Sequence, residues 1–148
     1  MIKVQINNRL DDEKMAENIF EVFRKIAREA ARIEGYNNCE ISIALVDDCM
    51  IKDLNQRYRN VAEPTDVLSF PIDENILGDI IISVETARRQ AEQFNHSLIR
   101  ELCYLVTHGI LHLLGYEHDS PGDKRQMRQK EERILSKFGI SRNQEESS

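Results

Sequence analysis

"SLIRELCYLVTHGILHLLG", residues 97–115, reads as the longest buried helix of the protein, and the rest of the fold is arranged around it. Ser97 supplies an N-cap, and Gly115 can leave the helix with a positive φ. Between Leu102 and Gly115 the near-apolar run is broken by Thr107, His108 and His112 and is too short to cross a bilayer. Beyond it, "SPGDKRQMRQKEERILSKFG" (120–139) opens a further helix with Ser120 as cap and Pro121 at its first position. Met127, Ile134, Leu135 and Phe138 of that helix fall on one stripe. Before it, "LGDIIISVETARRQAEQF" (77–94) reads as a strand over 79–83 running into a helix over 85–94. "AEPTDVLSFPID" (62–73) holds a short apolar strand at Val67–Phe70 between two prolines, which favours a sheet edge.

Further out, "CEISIALVDD" (39–48) is a strand, and "CMIKDLNQRYRN" (49–60) is a short helix capped by Asp47 or Asp48. Residues 12–33 carry one apolar stripe of a long helix that Gly35 ends, and "IKVQIN" (2–7) alternates as a half-buried strand does. There is no internal repeat and no linker. The expectation is one mixed α/β domain over residues 1–140, with "SRNQEESS" (141–148) as a solvated tail.

The length of 148 residues suits one domain with its own core, and 41% apolar with 31% charged residues is ordinary for a globular protein. Cys39, Cys49 and Cys103 are odd in number and lack a CxxC pair, which argues against a disulfide framework or a cysteine metal site and for a reducing compartment. "MIKVQINNRLDDEK" has no apolar signal region, so a cytoplasmic protein with no membrane association is expected. A net charge of −6 argues against holding nucleic acid by bulk charge. The stretches 51–60 and 85–100 are locally basic or mixed, each with paired arginines, and leave room for a small basic cleft.

"HGILHLLGYEH" places His108, His112 and His118 within eleven residues, at the spacing H-x-x-x-H-x-x-G-x-x-H of zinc peptidases. His108 and His112, four apart, project from one helix face, and Gly115 can turn the chain so that His118 returns as a third ligand. Three protein ligands leave a fourth position open, the mark of a catalytic zinc. Two imidazoles among Leu105, Val106, Ile110, Leu111 and Leu113 are costly to bury unless both are satisfied, and one metal satisfies both. Where a peptidase has its glutamate, this chain has Gly109. A glycine inside a helix costs about 1 kcal/mol against alanine, so its presence suggests that space is wanted beside the metal. Without that glutamate, peptide cleavage lacks its proton shuttle. Glu117 and Asp119 flank His118 as partners of the ligands, as a substitute base or as solvated turn carboxylates. His96, alone, reads as a surface histidine.

These residues carry a resemblance. "HGILHLLGYEH" resembles the H-G-x-L-H-L-x-G-Y-[DE]-H signature of the YbeY family of bacterial endoribonucleases, in which glycine is the usual second residue. "LNQRYR" (54–59), "PTDVLSFP" (64–71) and "LGDIIIS" (77–83) are similar to further blocks of that family, in the same order. The resemblance implies an α+β domain, with a mixed sheet of about four strands among surrounding helices. It also implies a single-strand-specific endoribonuclease of ribosomal RNA maturation, including small-subunit rRNA 3′-end processing, and of ribosome quality control. It makes His108, His112 and His118 the ligands of one Zn2+ and Arg59 the functional arginine. Thr65 and Ser69 become candidates for substrate contact only through the resemblance, because a proline-bounded edge strand explains their composition as well. The implied partners are single-stranded rRNA and, given the charge, a small-subunit ribosomal protein or an assembly GTPase that recruits the enzyme.

Zinc brings the pKa of bound water toward 7 without a glutamate, and a guanidinium can hold two oxygens of a phosphodiester transition state. Phe70 reads as core before base platform. Arg88 and Arg89 read equally as phosphate contacts or as a solvated helix face. Two other functions compete: a different zinc hydrolase, or a non-catalytic ribosome-assembly factor with a structural zinc.

Overall fold

A computed structural model describes residues 2–10, 17–72, 76–116 and 120–140. The elements in chain order are β1 (Ile2–Asn8), α1 (Glu17–Ile33), β2 (Cys39–Val46), α2 (Asp48–Arg59), β3 (Val67–Pro71), β4 (Ile76–Ser83), α3 (Val84–Gln93), α4 (Leu98–Leu113) and α5 (Pro121–Lys137). The four strands form one mixed sheet in the order β1-β2-β4-β3. β1 and β4 both run parallel to β2, and β3 runs antiparallel to β4. The α+β expectation holds, and β3 takes the edge position that its flanking prolines require.

Strand alternation divides the core. Ile41, Ile43 and Leu45 of β2 and Ile80 and Ile82 of β4 face the main core, which α1, α4 and α5 cover with Phe23, Ile26, Leu102, Val106, Ile110 and Met127, among others. The opposite face is covered by α2, through Ile51 against Val46 and Leu68. Phe70 packs on that second cluster and lies 5.2 Å from the Tyr58 ring, so the core reading of Phe70 stands. With Leu68 and Phe70 facing α2, the period of two turns Ser69 toward α4.

Capping chemistry sets the helix starts. Ser97 Oγ accepts from Arg100 N–H at 3.2 Å, and Ser120 Oγ accepts from Asp123 N–H at 3.0 Å. Of the two candidates before α2, Asp47 is the cap, with Oδ1 accepting from Met50 N–H at 2.8 Å. Asp48 does something else. Its Oδ1 accepts from the hydroxyls of Ser83 and Thr86, each at 2.6 Å, and its Oδ2 pairs with Arg89 Nη2 at 2.8 Å. Arg89 therefore fastens α3 to the start of α2 and is not a wall of the cleft described below.

Burial pushes the Asp48 carboxyl up, but the hydrogen bonds from Ser83, Thr86 and Arg89 outweigh it and hold the group below its ordinary value of 3.8. A depressed folded-state pKa gives stability that is present above the unfolded value and is lost as pH falls through the folded one. Asp48→Asn is expected to cost about 1–3 kcal/mol at pH 7 and to lose that difference progressively as pH falls below about 4. Urea unfolding of both proteins at pH 7 and pH 3 checks this; an equal penalty at the two pH values would contradict it.

The three cysteines are free, Cys39 and Cys103 buried and Cys49 exposed. Among the described residues no helix is long and apolar enough to cross a membrane. The segment 141–148 lies outside the described residues.

Candidate active-site cleft

The C-terminal half of α4 presents His108 and His112 one turn apart, with ring centroids 4.7 Å apart and planes at 81°. Their Nε2 atoms converge to 3.2 Å. Two nitrogens bound at roughly 2.0–2.1 Å to one tetrahedral cation would sit about 3.3 Å apart. The pair therefore already has the bite of a metal ligand pair.

The other nitrogen of His108 is held as well. Its Nδ1 lies 3.0 Å from Glu131 Oε2, and the Glu131 side chain is only 9% exposed. With the carboxylate accepting, the proton sits on Nδ1 and the Nε2 lone pair points toward His112. Sequence reading passed over Glu131, yet it left a trace. Met127, Glu131, Ile134 and Leu135 are all buried on the same side of α5, and an acid inside an apolar stripe calls for a partner.

Among the described residues no three His, Cys, Asp or Glu side chains are arranged to hold a metal, and of the three expected ligands His108 and His112 are the two that fall among them. His118, Glu117 and Asp119 lie outside the described residues. The chain leading to them is tied down. Gly115 has φ +102°, Tyr116 N–H donates to Leu111 O at 2.9 Å, and the Tyr116 hydroxyl donates to Glu34 Oε1 at 2.7 Å.

The two histidines open into a cleft of about 750 Å3. From the end of α2 and the loop after it come Arg59, Thr65 and Asp66, and from β3 comes Ser69. The cleft thus gathers Arg59, Thr65, Ser69, His108 and His112 from four separate stretches of chain. Arg59, last residue of α2, is exposed and has no ion pair among the described residues. Its position follows from Asn60, whose left-handed φ of 58° ends the helix while its N–H returns to Gln56 O at 3.1 Å. Buried Asn55 steadies the loop beyond, its Nδ2 donating to Glu63 O at 2.9 Å.

The hydroxyls are already engaged as donors. Thr65 donates to Asp66 Oδ1 at 3.3 Å, and Ser69 donates to Gly109 O at 3.3 Å. What they can offer a ligand is acceptor lone pairs.

Two expectations need correction. Gly109 does not leave space beside the histidines. A Cβ at Gly109 would lie 2.8 Å from Ile80 Cγ2 and 3.3 Å from Ser69 Oγ, so the glycine faces the sheet and lets α4 settle against β4 and β3. One residue further round a helix is a turn of about 100°, which carries this position off the histidine face. His96 is not a surface residue either. Its Nε2 lies 2.6 Å from Glu101 Oε1, with side-chain exposures of 4% and 2%, because the turn between α3 and α4 folds it against the first turn of α4.

A family model described as Endoribonuclease YbeY matches residues 5–139. Endoribonuclease YbeY of Moorella thermoacetica is 42% identical, the match covering 95% of this chain and 100% of that protein. The Clostridioides difficile protein of the same name is 41% identical over 93% of this chain and 97% of its own. The solution structure of TM1509 from Thermotoga maritima matches with a TM-score of 0.64 at 28% identity, covering 93% of this chain and 91% of that one.

Proposed function

Because the chain belongs to the endoribonuclease YbeY family, we propose that its cleft cleaves single-stranded RNA with the help of one zinc ion held by His108, His112 and His118. The process served is ribosomal RNA maturation in the cytoplasm, small-subunit 3′-end processing and ribosome quality control included. The observation that carries the reading is the 3.2 Å convergence of two imidazole nitrogens in a cleft that also holds Arg59. Zinc bound there supplies a Lewis acid and lowers the pKa of water.

The remaining work falls to the chain's own residues. Arg59 offers forked N–H donors to two non-bridging phosphate oxygens, whose charge grows toward the transition state. Thr65 and Ser69, with their own protons engaged, accept from a donor such as a ribose 2′-hydroxyl. Glu131 keeps His108 in the tautomer that presents Nε2. Position 109 itself faces Ile80 and so does not present a group to the cleft in the way the peptidase glutamate does.

Zinc-loaded protein is expected to cut a single-stranded rRNA fragment, and Arg59→Ala is expected to lower the rate about 10²–10³-fold. Being exposed and without an ion pair among the described residues, Arg59 should affect stability by less than about 0.5 kcal/mol. Wild-type protein that cuts no RNA, or an Arg59→Ala variant as fast as wild type, would overturn the reading. Glu131→Gln is expected to weaken zinc binding about 10- to 100-fold in competition with a chelator; unchanged affinity would remove Glu131 from the site.

A net charge of −6 provides no long-range attraction toward RNA, so recruitment by a small-subunit ribosomal protein or an assembly GTPase is part of the same proposal. Tagged protein purified from cells should bring such a partner with it, and recovery without one would count against recruitment.

A further inference from the structure

The cleft reaches past the histidines to the C-terminal end of α3, where Phe94 lines it with its residue surface 53% exposed. A single exposed apolar residue is ordinary on a protein surface. Two features set this one apart. It lies on the wall of the cleft that holds His108, His112 and Arg59. It also stands on a backbone fastened at every step. Phe94 N–H donates to Gln90 O at 2.9 Å, Asn95 N–H to Glu92 O at 3.2 Å, and His96 N–H to Ala91 O at 3.0 Å. The turn is then locked to α4 by the buried His96–Glu101 contact, and the His96 ring lies 6.2 Å from that of Phe94. Glu101 and His108 share α4, two turns apart, so this contact gives Phe94 a fixed register to the histidines.

We propose that Phe94 is the stacking platform for an unpaired base flanking the phosphate that Arg59 holds. This rests on the RNA-cleaving function proposed above and gives it a base subsite. A rigid, half-exposed ring on a cleft wall suits a base because every base has a π-face, and such stacking tolerates any sequence. It does not suit a duplex, whose base faces are covered by their neighbours. Within the lining, Arg59 attracts phosphate, whereas Asp66 and Glu101 do not. The single-strand preference is thereby assigned to a named side chain.

The chain contains no tryptophan, so Phe94→Trp introduces the sole indole. Zinc-loaded Phe94→Trp protein, mixed in a stopped-flow instrument with a short single-stranded RNA, should lose indole emission before cleavage, and the duplex of the same sequence should leave it unchanged. Phe94→Ala should weaken binding of single-stranded RNA roughly 5- to 150-fold, with kcat at saturation within about threefold of wild type by the same reasoning. Melting temperature and zinc content verify that both variants are folded and loaded. Emission that RNA does not change, quenching by duplex as strong as by single strand, or an unchanged affinity in Phe94→Ala overturns the platform and leaves the ring to a protein contact. Wild-type protein that neither binds nor cuts RNA overturns the underlying function instead.

Discussion

His112→Ala is expected to abolish RNA cleavage, lowering the rate by about 10³-fold or more, while the protein stays folded. The size follows from what a bound metal contributes. Charge stabilisation by a Lewis acid is worth several kcal/mol in the transition state, and each 1.36 kcal/mol is a decade in rate. The stability penalty is small by comparison. His112 is only part-buried, and its loss leaves His108 bonded to Glu131 and the apolar face of α4 intact. About 1 kcal/mol is the central expectation for such a change. Cleavage rate, bound zinc and melting temperature, measured on one preparation, separate the two effects. A variant retaining more than a tenth of the wild-type rate would remove His112 from the chemistry.

Gly109→Glu is expected to unfold the domain, not to convert it into a peptidase. Its Cβ alone would sit 2.8 Å from Ile80 Cγ2 and 3.3 Å from both Ile80 Cγ1 and Ser69 Oγ. Those neighbours are the fully buried Ile80 of β4 and Ser69 of the β3 edge strand that lines the cleft. Overpacking of this kind costs about 1–3 kcal/mol, and a carboxylate forced against a sheet adds several kcal/mol unless paired. Together these approach the total stability of about 5–15 kcal/mol of a domain.

Gly109→Ala separates the steric part. Alanine gains about 1 kcal/mol of helix propensity, yet the variant should still be destabilised. Adding Ile80→Ala removes the methyl that clashes, so the double variant should be more stable than the sum of the single losses by about 1 kcal/mol. Strict additivity would show that Gly109 is not there for the sheet.

Much of the fold could be read from local chemistry. Ser97, Ser120 and Pro121 mark helix starts by what their side chains and rings do to the first turn, and the prolines around Val67–Phe70 place β3 at an edge. The histidine pair was legible for the same reason, since four residues on a helix define a distance. What local chemistry could not supply was direction and partners across elements. The neighbour of His108 turns toward Ile80, and no periodicity reveals which strand waits there. Glu131 meets His108 from 23 residues away, and His96 meets Glu101 through a turn whose course depends on Asn95 adopting φ +63°. Glu131 sits on a helix face otherwise buried and apolar, and that is the one local sign that it has a task.

The most direct test of the central claim is a zinc titration of chelator-treated protein, followed at each addition by the rate of cleavage of a single-stranded rRNA fragment. The account predicts no cleavage without metal, a linear rise, and a sharp break at one equivalent per chain, with His112→Ala silent throughout. Full cleavage by the metal-free protein, or none at any loading, would contradict it.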